Sequence, residues 1–166
     1  MNRFFILIST LLLSLTVFTA CDDDDFKDMF GEDSKNIPSA ILDNFVEKYP
    51  HAKNMKWKKG NEFAIVSFHL TGIEGIKNDN DNSTAWFSLQ TKEWKMTETE
   101  MYPSALPLPV KEAFEQTEFA KIPWVMDDEI EMITRNNAST LFIINVEKEE
   151  NGTEIEVDLV YTEDGF

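Results

Sequence analysis

The chain of 166 residues has one cysteine, Cys21, and two histidines, His51 and His69, so neither a disulfide nor a histidine-rich metal site can organise it. It contains no His-Glu-x-x-His, Gly-x-Ser-x-Gly or P-loop pattern, so no residue set announces a reaction. Positive charge is also scarce, with 15 Lys and Arg against 31 Asp and Glu, a net charge of −16. Phosphate backbones and anionic headgroups repel such a surface, which argues against nucleic-acid binding. What the chain does have is apolar mass: 42% hydrophobic residues, with 13 Phe and 4 Trp, enough for a packed interior.

The apolar mass begins with Phe4 to Phe18, an uncharged run behind Arg3 that is too short to span a bilayer and reads as the core of a secretory signal peptide over residues 1–20. The segment Phe18-Thr19-Ala20-Cys21 resembles a bacterial lipobox, with Phe at the position usually held by Leu. The resemblance implies that Cys21 becomes the lipidated first residue, and membrane contact then comes through its acyl chains. Removal of Arg3 takes the net charge from −16 to −17. Asp22, Asp23, Asp24 and Asp25 follow at once. They serve as a self-repelling spacer, or, as their place after the cysteine resembles in Bacteroidetes-type lipoproteins, as a surface-export signal. Residues 21–36 are expected to be an acidic tether. The expected location is the outer membrane, facing the cell surface, or the periplasm as the alternative.

From Ile37-Pro38 the pattern becomes that of a folded domain. Ile41, Leu42, Phe45, Val46 and Tyr49 share a helical face, Ser39 is placed to cap it, and Pro50 ends it. Strands are expected near Asn54 to Lys58, Glu62 to Leu70, Thr84 to Leu89 and Trp94 to Glu100, with Gly72 to Asn82 as a polar loop. The programme then restarts: Leu106-Pro107, Val110 and Phe114 repeat Ile37-Pro38, Ile41 and Phe45 at an offset of 69. A second helix is expected from Pro109 to Phe119, then strands near Glu129 to Thr134, Thr140 to Glu147 and Glu154 to Tyr161, with Asn136-Asn137 and Asn151-Gly152 as turns. The second copy stops where its last strand would begin. The expectation is an α+β fold: a tandem repeat (37–101 and 105–166) of one helix plus antiparallel strands, with the helices packed on one face of the sheet.

These features, the Ile/Leu-Pro-x-x-Ile/Val helix opening, Tyr49-Pro50 and meandering strands given twice behind a lipoprotein signal, resemble the PepSY-like proteins. That family is similar in architecture to the β-lactamase inhibitor protein and occurs as small exported proteins of Bacteroides-like bacteria. The resemblance covers Ile37 to Phe166. Here Glu118-Phe119 stands where the family has Tyr-Pro at the end of its second helix. The resemblance implies a protein-binding or inhibitory role and brings no catalytic residue with it.

The candidate sites follow from strand alternation. Ala64, Val66, Phe68 and Leu70 form the better core face of their strand, which leaves Phe63, Ile65 and His69 outward, with Trp86 beside them. This is an aromatic binding patch, or else it is covered by the 72–82 loop or the other repeat. In the second copy Glu129, Glu131, Glu154, Glu156 and Asp158 alternate with apolar residues and would form a carboxylate ladder if their strands are neighbours. Such a ladder is a solvated face, or a surface for a cationic partner or weak calcium binding. Asp79-Asn80-Asp81 begins like a calcium loop, but Thr84 and Gln90 stand where that loop needs Gly and Glu. The sequons at Asn82, Asn137 and Asn151 read as turn asparagines. No cofactor and no metal is expected. The function expected is a non-enzymatic envelope lipoprotein that binds or inhibits a protein; the rivals are a hydrolase or metal-dependent enzyme using the acidic face, and a structural or adhesion component.

Overall fold

A computed structural model describes residues 30–166; Cys21 and Asp22 to Asp25 lie outside them. Seven antiparallel strands form one sheet in chain order: β1 (Lys53–Lys59), β2 (Phe63–His69), β3 (Ser83–Ser88), β4 (Trp94–Met101), β5 (Val125–Arg135), β6 (Ala138–Glu150) and β7 (Thr153–Thr162). Helix α1 (Ser39–Lys48) precedes β1, and helix α2 (Leu108–Glu115) lies between β4 and β5. The fold is α+β. Among the described residues no helix is long and apolar enough to cross a membrane.

Both helices start at a proline, Pro38 and Pro107, with extended ψ near 140° and no side-chain cap bond. Ser39 is therefore the first residue of α1, not its cap. A proline costs nothing there, because its missing N–H is one the helix could not use. Helix α2 ends at Glu115, earlier than its apolar pattern suggests. Thr117 turns back on Phe114, its N–H and its hydroxyl both donating to the Phe114 carbonyl at 2.9 and 2.7 Å. A 3-10 turn, Glu118–Ala120, then places Phe119 edge-on to Trp124.

Cross-strand register puts one set of side chains on the helix side of the sheet throughout. Val66 faces Ala85, Ala85 faces Thr97, Met101 faces Ile130, Ile130 faces Ile144 and Ile144 faces Leu159. The interior divides in two. Under α1, Ile41, Leu42 and Phe45 pack on Trp57, Val66, Phe68 and Phe87. Under α2, Val110 and Leu106 pack on Met101, Ile130, Phe142, Ile144 and Val146. Thr97 and Thr99, both buried, lie on β4 between the two clusters. Tyr49 reaches Thr97 from α1 (Oη···Oγ1 2.5 Å), and Trp94 Nε1 donates to the same hydroxyl at 2.8 Å. Burial at that spot pushes the Tyr49 phenol up to about 12.

Residues 30–36 of the expected tether pack on the domain. Phe30 is buried against Phe45 and Trp57 (ring centroids 6.5 and 6.2 Å), and Glu32–Asn36 forms a 3-10 turn with Ser34 buried. The acidic composition of this stretch hid one apolar anchor, which is all that is needed to bring it onto the domain.

The 72–82 loop is polar in composition yet tightly held. Ile76 bridges Met101 and the Lys77 N–H donates to the Glu100 carbonyl at 3.0 Å, so the loop continues the sheet beside the end of β4. Asn82 is fully buried and is not a turn asparagine. Its amide accepts from the Leu70 N–H (2.9 Å) and donates to the carbonyls of Leu70 (2.9 Å) and Lys77 (2.6 Å). Asn137 and Asn151 do sit in hairpin turns, at φ 57° and 55°, where asparagine tolerates the left-handed region.

Candidate functional site: the open face of the sheet

The helices cover one face of the sheet; the residues of opposite parity form the other. Ile65 faces Trp86 and Trp86 faces Met96, while Ile133 faces Leu141 and Ile143 faces Val160. An apolar band therefore runs across β2 to β7, broken on β5 by Arg135, which faces Met96. Within it Phe63 is 37% and Val160 53% exposed; Ile65, Trp86, Met96, Ile133, Leu141 and Ile143 are half-buried among their neighbours. The 72–82 loop reaches the end of β4 and β5 through Glu100, Met101, Asp128 and Glu129, and it also reaches β1 and β2, where Asp81 meets Lys56 and Asp79 meets His69. His69 lies at the rim of the band, with Nδ1 2.5 Å from the Asp79 carbonyl.

Beside the band lies a field of carboxylates. Glu100 faces Glu131, Glu147 faces Glu156 and Glu149 faces Glu154, three like-charged pairs directly across from one another. Such pairs destabilise a sheet where opposite charges would stabilise it. Burial, then the neighbouring Glu98 and Asp158, raises the Glu131 carboxyl above its ordinary value; burial, then Glu129 and Asp79, does the same to Glu100. Glu98 is raised by burial and by Glu100, and Glu147 by the hydrogen bond it shares with Glu154. Oxygens of Glu147, Glu154 and Glu156 lie within 4.8 Å of one another on the exposed surface.

The structure rearranges the expected ladder. Strands β5 and β7 are not neighbours: β6 separates them, and Ile143 stands between Glu131 and Val160. Glu129 is not a free rung either. The register slips between Met126 and Ile130, and Glu129 leaves the ladder to bind Lys77 at 2.7 Å, with Asp128 at 3.4 Å. The Lys77 side chain is only 10% exposed, and its hydrogen bond to Glu129 outweighs burial to hold its ammonium above the ordinary lysine value. Asp81 is ion-paired with Lys56 at 2.5 Å. The field gains Glu98, Glu100 and Glu147, which sequence reasoning missed. The signal was present in Met96-Thr97-Glu98-Thr99-Glu100, whose even positions share the parity of Met96.

A folded-state carboxyl raised above its unfolded value favours folding fully only below the unfolded value, and that benefit is lost as pH rises through the raised one. Lowering the pH from about 7 to about 5 is therefore expected to raise the melting temperature. Glu131→Gln should raise it at pH 7 and flatten the dependence. A melting temperature that falls over this interval would show that the carboxylates are not in net repulsion; circular dichroism melts at several pH values decide it.

No family model and no curated protein matches the chain. Among solved structures it is similar to a BLIP-like protein from Bacteroides fragilis, 28% identical over 82% of this chain and 87% of that one, with a TM-score of 0.60. The chain shares the BLIP-like fold. A DUF2874 family protein from Bacteroides ovatus has the same fold at 23% identity, covering 78% of this chain and 82% of its own, with a TM-score of 0.61. One from Bacteroides uniformis has it at 18% identity and a TM-score of 0.58, covering 78% and 84%. On this fold the open face of the chain combines an apolar band with a field of carboxylates.

Proposed function

We propose that the protein is a non-enzymatic cell-envelope module that binds another protein on the open face of its sheet. One observation carries the reading: the face opposite the helices holds an apolar band beside three directly opposed carboxylate pairs, a pattern that lowers stability unless something covers and neutralises it. A partner that supplies apolar contact and positive charge removes both costs. The similarity to a BLIP-like protein supports the reading. In this proposal residues 1–20 direct export, acylated Cys21 holds the protein in the outer membrane, and Asp22 to Asp25 send it to the cell surface. The two helix-and-strand halves derive from a duplication, on the offset of 69 between their opening residues.

The test uses the full-length protein in the producing cells, with a photoreactive side chain at Ile133 in the middle of the band. One discrete cross-linked protein is expected, and Glu98→Lys with Glu131→Lys should abolish it. Changing Phe63 and Trp86 to Ser together should also abolish it while moving the melting temperature by less than about 4 °C, the equivalent of about 1 kcal/mol in a domain of this size. A steep fall in melting temperature would mean that Phe63 and Trp86 are structural, and cross-linking unaffected by any of these changes would place the contact elsewhere.

A further inference from the structure

The two edges of the sheet are built differently. Edge strand β1 carries Lys53, Lys56, Lys58 and Lys59, its register is broken between Lys53 and Lys56, and the 3-10 turn Glu32–Asn36 packs against it. Lysines, bulges and covering segments are the usual means by which an edge is kept from pairing. Edge strand β7 has none of them among the described residues. It contains no Lys, Arg or Pro, and its register with β6 runs unbroken through ten pairs from Leu141–Thr162 to Glu150–Thr153.

The hairpin turn fixes which backbone groups β7 offers. Asn151-Gly152 is a two-residue loop with both residues at positive φ, so the flanking pair Glu150 and Thr153 exchanges both backbone bonds. Alternation then turns the N–H and C=O of Glu154, Glu156, Asp158 and Val160 away from β6. The Thr162 N–H, next in the same phase, donates to the Phe166 carbonyl at 2.7 Å and confirms that phase. The side chains of Glu154, Glu156 and Asp158 stand on the open face above this row of free backbone groups. On the helix side Val157, Leu159 and Tyr161 are only partly buried, whereas Phe142, Ile144 and Val146 of the neighbouring β6 are buried.

We propose that the outer edge of β7 is a strand-addition site for an extended segment of a partner protein, with Lys or Arg at alternate positions and aliphatic residues between them. The backbone row supplies main-chain bonds, the carboxylates of Glu154, Glu156 and Asp158 select basic side chains on the open face, and the aliphatic residues complete the burial of Val157 and Leu159. A second copy of the chain is the poorer occupant, because a net charge of −16 on each copy opposes their approach. The edge meets the apolar band only at Val160, whose side chain belongs to the band and whose backbone belongs to the edge, so the inference stands whether or not that band binds.

The probe is a nine-residue synthetic peptide alternating lysine with valine and threonine, compared with an isomer whose lysines are adjacent. With the full chain, the alternating peptide is expected to slow amide exchange at Glu156, Asp158 and Val160 by about tenfold or more, and the isomer is not. Asp158→Pro removes one outward N–H without touching the β6 ladder, and it should weaken the alternating peptide by about tenfold. Asp158→Asn removes the same charge, keeps the N–H and should weaken it by only about threefold or less. Equal binding of the two peptides without amide protection would overturn the inference in favour of diffuse charge attraction. Protection that appears without peptide and grows with protein concentration would overturn it in favour of self-association. The exchange measurement on the unmodified protein decides the matter even if Asp158→Pro does not fold.

Discussion

Truncating Phe45 to Ala is expected to lower the free energy of unfolding by about 3–5 kcal/mol, the range found when a fully buried aromatic is removed and its cavity only partly closes. The ring is 1% exposed and meets five others: Phe68 at 5.1 Å between centroids, Trp57 at 5.3 Å, Tyr49 at 5.5 Å, Phe87 at 6.3 Å and Phe30 at 6.5 Å. Most of these contacts are edge-to-face, the favoured geometry for aromatic pairs. Domains of this kind have only about 5–15 kcal/mol in total, so the variant should be near its folding limit at 37 °C. Phe114 holds the matching place in the second helix, but it is half-buried, and Phe114→Ala should cost roughly half as much. Urea denaturation of both variants checks the pair. Equal losses, or a loss at Phe45 below about 1.5 kcal/mol, would contradict the packing described for α1.

Replacing Asn82 by Ala should cost about 3 kcal/mol or more, although the change removes only a few atoms. The Asn82 side chain is 1% exposed, and its loss leaves the N–H and C=O of Leu70 and the C=O of Lys77 buried or half-buried without the partner they now have. An abandoned buried polar group costs about 1–3 kcal/mol, more than a satisfied hydrogen bond contributes. The same change frees the segment that carries Lys77, so the Lys77–Glu129 contact should loosen with it. Amide exchange at Leu70 is the direct readout, alongside the denaturation midpoint. Unchanged exchange at Leu70 would show that water replaces the amide and that the loop is held by its bridge to β4 instead.

The strands were legible because burial on one face leaves a period of two. Ala64, Val66, Phe68 and Ala85, Phe87 identify the helix side of β2 and β3 from sequence alone, and all five are fully buried. Strand β6 shows the complementary signal. Leu141, Phe142, Ile143 and Ile144 run apolar without alternation, which places apolar side chains on both faces. The helices were legible through Ile41, Leu42 and Phe45 and through Val110, whose spacing puts them on one side of a 3.6-residue period. Their starts were legible to within one residue: the caps are Pro38 and Pro107, where the sequence pattern puts the first cap at Ser39 and opens the second helix at Pro109. The end of α2 was not, because a threonine hydroxyl competing for a carbonyl leaves no mark on hydrophobic spacing.

Alternation within one strand tells which residues share a face, and it says nothing about which strand lies alongside or in what register. For that reason the sequence by itself determined the parity of Phe63, Ile65, Trp86, Glu131, Glu154, Glu156 and Asp158, and with it the mixed apolar and acidic character of the open face. Only the tertiary structure decided that β6 separates the two acidic strands, that Glu100 stands opposite Glu131, and that Glu98 and Glu147 belong to the same field. It alone decided that a slip of register after Met126 hands Glu129 to a lysine 52 residues away, and that Asn82 closes a loop on Leu70. Each of these depends on residues brought together by pairing across the sheet, a long-range event with no local period to betray it.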